Sequence, residues 1–219
     1  MSLFIDNDAL LKLASYDLLD TALTMFNIRP EDIHVLATAR YALIPDKNRL
    51  RRCKTEECAS RLESFLAKAN KLTQDGLSAD MLDALTSEPG IDPGEALMLG
   101  MAASAPDSYI ITGDKRALEA LQAGKGLNDV CEVLAGRVLP LELLFSFLVE
   151  GDFAQVQVRV RSQPEVDKAL TYAFGVSTPA NLASVRAALD SYVGHLRRLT
   201  GSLLHPSPTS SEQELRRET

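Results

Sequence analysis

Ser108-Tyr109-Ile110-Ile111-Thr112-Gly113-Asp114-Lys115 is an apolar run that ends in an aspartate. Leu3-Phe4-Ile5-Asp6-Asn7-Asp8, at the start of the chain, has the same form. Both segments predict a short buried strand that turns directly into a helix. In an α/β fold the C-terminal ends of parallel strands gather along one edge of the sheet, where ligands and catalytic groups sit. Two strand-end aspartates meeting there would offer hard oxygen donors suited to Mg²⁺ or Mn²⁺. Each aspartate is also a good N-cap for the helix that follows it, so the two segments alone leave both readings open.

The rest of the chain is mostly helical in pattern. A helix is expected around Ala9 to Ala14, and a second from Asp17 to Met25, closed by Arg29-Pro30. Pro30-Glu31-Asp32 reads as the start of a third, with proline in the first turn and acids at the positive helix end. Its apolar residues run toward Leu43, and Pro45-Asp46 marks a stop. Glu56 to Leu72 carries Leu62, Phe65, Leu66, Ala69 and Leu72 at helical spacing. Helices are further expected over Ser78 to Leu85, from Asp92 through Ala103, and over Lys115 to Ala123. Val130 to Leu134 and Val138-Leu139 are weaker strand candidates. The order of strand, helices, strand, helix and strand candidates predicts an α/β domain, a small parallel sheet surrounded by helices, at residues 1–145. From Leu141 the pattern is helical throughout: Leu141 to Glu150, Phe153 to Val160, Glu165 to Phe174 and Asn181 to Leu199. Residues 146–204 therefore read as an all-helical C-terminal extension. The apolar stripe of its last helix (Leu182, Val185, Leu189, Val193, Leu196, Leu199) suits core packing, a homodimer seam or a protein partner. The Pro/Ser/Thr-rich and charged residues 205–219 read as a disordered tail.

The 219 residues carry a net charge of -7 and are 46% hydrophobic. Such a surface gives no global attraction to nucleic acid or an anionic membrane. Any polyanion would have to be held by metal ions or a local basic patch. Three cysteines (Cys53, Cys58, Cys131) without metal-ligand spacing fit reduced thiols in a cytoplasmic protein. No apolar run approaches the roughly 18 residues that a membrane span needs, and no signal peptide is expected.

Four acids and a basic run stand out as candidates. Asp6 and Asp114 end the two strands, and Asp8 lies one position beyond Asn7. Glu95 opens a helix whose Ala96, Leu99, Gly100 and Ala103 are small or apolar, which fits a face packed closely on the sheet. Asp92 and Glu95 equally have the spacing of a reciprocal capping box. Lys47-Asn48-Arg49-Leu50-Arg51-Arg52-Cys53-Lys54 holds five cations with no acid between them. Arg49, Arg51, Arg52 and Lys54 are thus the candidates for phosphate contacts to a nucleic acid. The same run would serve as a solvated helix face or a partner's docking site. His34, His195 and His205 are scattered and form no ligand pattern.

Together, Phe4-Ile5-Asp6-Asn7-Asp8, Gly94-Glu95-Ala96 and Ile110-Ile111-Thr112-Gly113-Asp114-Lys115-Arg116-Ala117-Leu118 resemble the PIN-domain (PIN-like) metal-dependent ribonucleases over about residues 3 to 145. The resemblance implies Asp6, Glu95 and Asp114 as catalytic acids holding Mg²⁺ or Mn²⁺; Asp8, standing where the family often has asparagine, is a further candidate metal ligand. It implies hydrolysis of phosphodiester bonds, with RNA as the substrate. One position departs from the pattern. The family usually carries a further acid on an early helix, and the segment here reads Ala37-Thr38-Ala39-Arg40-Tyr41-Ala42. Glu56 or Glu57 would have to fold back, or Asp8 compensate, to replace it. A catalytically impaired PIN-like binding or regulatory protein is therefore a second expectation. A third comes from Asp6-Asn7-Asp8, which resembles the paired aspartates of haloacid-dehalogenase-like phosphohydrolases. The Ala-Leu-Leu that follows departs from that family's pattern.

Overall fold

In the computed structural model, which describes residues 2–208, the chain is an α/β protein with a five-stranded, wholly parallel sheet. In chain order, β1 (Ser2–Ile5) leads into α1 (Asn7–Ser15) and α2 (Leu19–Met25). β2 (Ile33–Leu36) is followed by the short helices α3 (Ala39–Leu43) and α4 (Leu50–Cys53), then α5 (Glu56–Leu66) and β3 (Asn70–Leu72). α6 (Ala79–Ser87) and α7 (Pro93–Ser104) precede β4 (Ser108–Thr112). α8 (Lys115–Ala123) and α9 (Asn128–Leu134) lead to β5 (Val138–Pro140), and the helices α10 (Leu141–Arg161), α11 (Lys168–Phe174) and α12 (Leu182–Thr200) follow.

The strands lie in the order β3-β2-β1-β4-β5. β1 is central, with Ile5 opposite Ile111 on β4 and Leu3 opposite Ile33 on β2. Successive strand side chains point to opposite faces, and both faces here are covered. Leu3, Ile5, Ile33, Val35, Ile111 and Leu139 pack against α1, α2, α5 and α10 in one core. Phe4, Ile110 and Val138 point the other way, into a second core built on α6 through α9. Helices on both faces explain why the strands read as continuous apolar runs instead of alternating ones.

Three expectations are corrected. Pro30–Asp32 makes one 3₁₀ turn and then gives way to β2, so the helix expected toward Leu43 contains a strand and restarts at Ala39. The helix expected from Glu56 to Leu72 stops at Leu66, and Asn70–Leu72 becomes the edge strand β3. Val130 to Leu134 is helical, with Val130, Cys131 and Leu134 on the buried side of α9.

The C-terminal helices are built into the same cores as the sheet. Leu144, Phe145, Leu148, Phe174, Val185 and Leu189 belong to the first core, and Val193 and Leu196 to the second. The boundary expected after residue 145 falls inside α10. That helix runs on past Glu150 with a break at Asp152 (φ -151°, ψ 85°), whose side chain caps the second half through the Gln155 amide at 3.0 Å. The stripe on α12 is core over Val185, Leu189, Val193 and Leu196.

His205, the first residue of the expected tail, is held against the sheet. Leu203 and Leu204 are buried, Leu204 bridges to Val138, and the His205 amide donates to the Val138 carbonyl at 2.8 Å. Arg197 then holds the His205 carbonyl at 2.6 Å. The remainder of that tail, 209–219, lies outside the described residues. Among the described residues no helix is long and apolar enough to cross a membrane, and all three cysteines are free and buried.

Candidate functional site

Asp6 stands one residue past β1 and caps α1. Its Oδ1 accepts from the Ala9 amide at 2.5 Å, and its Oδ2 accepts from the Gly113 amide at 2.7 Å and from the Thr112 hydroxyl. The same Thr112 oxygen accepts from the Asp114 amide at 3.0 Å. One buried hydroxyl thus ties the two strand-end aspartates together across the junction of β1 and β4. Burial raises the Asp6 pKa above the usual carboxylate value. The hydrogen bonds from Thr112, Ala9 and Gly113 oppose that rise without cancelling it, and the charge of Asp8 adds to it.

Asp114 is the N-cap of α8, where its Oδ1 accepts from the Arg116 and Ala117 amides at 2.9 and 3.1 Å. Glu95 and Asp92 form the capping box of α7. The Glu95 carboxylate takes the Asp92 amide at 2.7 Å, and Asp92 Oδ1 takes the Glu95 amide at 2.8 Å. The capping-box reading of Glu95 is realised, and the same geometry turns its carboxyl to Asp114. The Glu95 and Asp114 carboxyls are hydrogen-bonded to each other. Burial is the main cause that pushes Glu95 from 4.5 up to about 7; the Asp92 amide opposes it, and the bond to Asp114 and the charges of Asp114 and Asp92 add to it. Burial works against ionised Asp114 as well, but the bond from Glu95, the helix amides and Arg116 hold it below its ordinary value. Two neighbouring carboxyls cannot both ionise cheaply, which favours the protonated form of Glu95 and the ionised form of Asp114.

Asp8 behaves differently. It is exposed and pairs with Lys12 one helical turn on, at 2.7 Å. A Cβ placed on Gly113 would lie 2.3 Å from Asp8 Oδ2, so glycine is what lets β4 turn past this carboxylate. Lys12 is largely buried and also pairs with Asp167, the N-cap of α11, at 2.8 Å. Its amine is held charged because these two partners outweigh its burial.

The four acids expected at the site are thus distributed unevenly. Glu95 and Asp114 touch, Asp6 reaches Asp114 through Thr112, and Asp8 faces Lys12 and Gly113. Among the described residues, no group of three or more His, Cys, Asp or Glu side chains converges as a metal cage. The early-helix position is filled by α3, whose Arg40 reaches the Ile44 carbonyl, Asp46 and Glu63. Glu56 does not fold back to replace the acid, since it pairs with Arg49 at 3.0 Å.

The basic run also divides. Arg49 is committed to Glu56 and Glu63, so its charge is offset within the fold. Arg51, Arg52 and Lys54 are exposed. Lys54 has φ 64° and ψ -34°, and the Thr55 amide donates to the Cys53 carbonyl at 2.8 Å around it, which is the pattern of a tight γ-turn. A side chain held there costs about 1–3 kcal/mol.

Two residues escaped the sequence reading. Glu142 opens α10 just past β5, is 3% exposed, and pairs with Lys115 beside Asp114. Nothing in the local sequence distinguishes it from an ordinary first-turn acid. Lys12 had a readable signal in its i,i+4 spacing from Asp8. The chain matches no family model, no curated protein and no solved structure.

Proposed function

We propose that the protein is a metal-dependent nuclease that hydrolyses phosphodiester bonds in RNA at the edge formed by Asp6, Glu95 and Asp114. The observation that carries this reading is the meeting of the Glu95 and Asp114 carboxyls at the C-terminal edge of the sheet, with Asp6 tied to Asp114 through Thr112. Forcing two acids together is costly unless a cation or a proton joins them. Their hard oxygen donors fit Mg²⁺ or Mn²⁺. When bound, such an ion would supply an activated water and offset charge on the phosphate.

The chain's own residues set up that edge. Helix amides at the start of α8 hold Asp114, and the capping box with Asp92 holds Glu95. Thr112 and Gly113 hold Asp6 with its carboxylate turned toward β4. Recruitment of a polyanion to an acidic protein then depends on the ion and on the exposed cations of α4.

Cleavage of a single-stranded RNA, measured with Mg²⁺, with Mn²⁺ and with chelator, tests the reading. Wild type should cut with either ion and stop in chelator, and Asp114→Asn should lose at least tenfold in rate, the usual scale for one removed group. A clean preparation without metal-dependent cleavage refutes it.

One observation favours a second reading, a PIN-like binding or regulatory protein without turnover. Both Asp6 oxygens are already taken by donors, and α3 presents Arg40 where the resemblance puts an acid. RNA binding without cleavage under any metal would select that reading. A phosphatase activity lost in Asp6→Asn would instead favour the dehalogenase-like one.

A further inference from the structure

A cleft of about 140 Å³ opens between α1, the α4–α5 corner and the turn that joins α10 to α11, and Asp8 forms part of its wall. Asp8 also abuts Gly113 at the acidic edge, so this one side chain borders both places. Among the cleft's lining residues are three cations, Lys12, Arg52 and Lys54, and two acids, Asp8 and Glu165. Their roles differ. The charge of Lys12 is met by Asp8 and Asp167 at 2.7 and 2.8 Å. Arg52 and Lys54 make no ion pair among the described residues, unlike Arg49 in the same basic run. The Lys54 amine donates to the Arg51 carbonyl at 3.0 Å, which fixes it at the end of α4. An ammonium has three donors, so two remain for another acceptor. The left-handed backbone at Lys54 (φ 64°) folds the end of α4 so that Arg52 and Lys54 line one cleft.

We infer that this cleft is a subsite for a backbone phosphate of single-stranded nucleic acid, contacted by Arg52 and Lys54. The chemistry fits a phosphodiester better than a carboxylate-rich protein surface. Asp8 and Glu165 across the cleft repel a dense acidic patch, whereas one phosphate can sit against the cationic lip and leave its sugar and base outside. A volume of about 140 Å³ is room for one such group. That the strand then continues to the acidic edge rests on the nuclease reading; the phosphate contact itself does not.

Binding is measured by fluorescence anisotropy of a short labelled single-stranded RNA in EDTA, at several salt concentrations, on the full chain. Arg52→Ala/Lys54→Ala should bind roughly tenfold more weakly. Its plot of log K against log salt should be shallower by about 0.7, the change expected for one lost phosphate contact on a single strand. Lys125→Ala, which removes one charge on the α8–α9 loop, should keep the wild-type affinity and slope. Unchanged affinity and slope in the double variant overturn the subsite. So does wild type that fails to bind RNA, or polyglutamate that competes as well as RNA and loses affinity in the same variant. Because chelator removes catalysis from the measurement, a nuclease assay that fails beside a positive binding result refutes the nuclease reading and leaves the subsite standing.

Discussion

The Thr112 hydroxyl donates to Asp6 Oδ2 across 106 residues of chain, and the same oxygen accepts the Asp114 amide. Thr112 is 3% exposed. Thr112→Val keeps the shape of the side chain but removes both partners at once. The enclosed Asp6 carboxylate then loses one of its donors, and a buried group left short of a partner costs about 1–3 kcal/mol. Urea denaturation should show that loss for valine and much less for Thr112→Ser. An equal effect of the two substitutions would mean that packing, not the hydroxyl, matters at this position.

Glu95 gives a prediction whose sign depends on pH. Its pKa is raised in the fold from 4.5 to about 7, so between those values the folded state binds more protons than the unfolded state. Stability attached to this group is present below pH 4.5 and is lost as pH rises through 7. Glu95→Gln keeps a capping-box residue and cannot ionise. At pH 8 the variant should be more stable than wild type by about 1–2 kcal/mol, a figure discounted for the group's partial exposure. Near pH 4 the two should coincide. Thermal melts at both pH values check this, and a constant difference would show that ionisation of Glu95 has no energetic weight.

Gly113→Ala addresses the close approach of Asp8. A new Cβ would meet the end of a flexible, half-exposed side chain, not backbone. The fold should survive, while Asp8 swings away and its pair with Lys12 loosens. Residues in contact have non-additive effects. Adding Asp8→Ala to Gly113→Ala should therefore cost about 0.5–1 kcal/mol less than the sum of the single changes. Strict additivity in denaturant melts would show that the two residues do not meet.

Much of this arrangement was legible from local signals. β1 and β4 are flanked by residues with one plain role each: apolar side chains that need two covered faces, then an aspartate with free helix amides ahead of it. The capping box of Asp92 and Glu95 was equally readable, since it depends on spacing alone. What the sequence concealed was set by tertiary context. Ile33 to Leu36 is four residues long and follows a proline and two acids that favour a helix start, so its strand character comes from pairing with Leu3 and Phe4. Asn70 and Lys71 are exposed on an edge strand and carry no apolar alternation. Val130 and Val133 suggested a strand, yet seven residues wind into a helix because Val130, Cys131 and Leu134 bury one side. At the site, the contact of Glu95 with Asp114 and the seat of Lys12 between Asp8 and Asp167 depend on chain crossings that no local window contains. The split of the basic run into a neutralised Arg49 and an Arg52 and Lys54 without an ion pair among the described residues has the same origin.

The seating of Leu204 beside Val138 bears on the order in which the protein can be made. Synthesis runs from β1 outward, but β1 must wait for β4 to be translated before its second neighbour exists, and β5 must wait for Leu203, Leu204 and His205 before its outer flank is covered. An unpaired strand edge invites association with other chains. Nascent protein therefore carries one open flank until residues 203–205 have left the ribosome. Shortening the chain to end before Leu203 should accordingly show first as aggregation during expression, and not as an altered site.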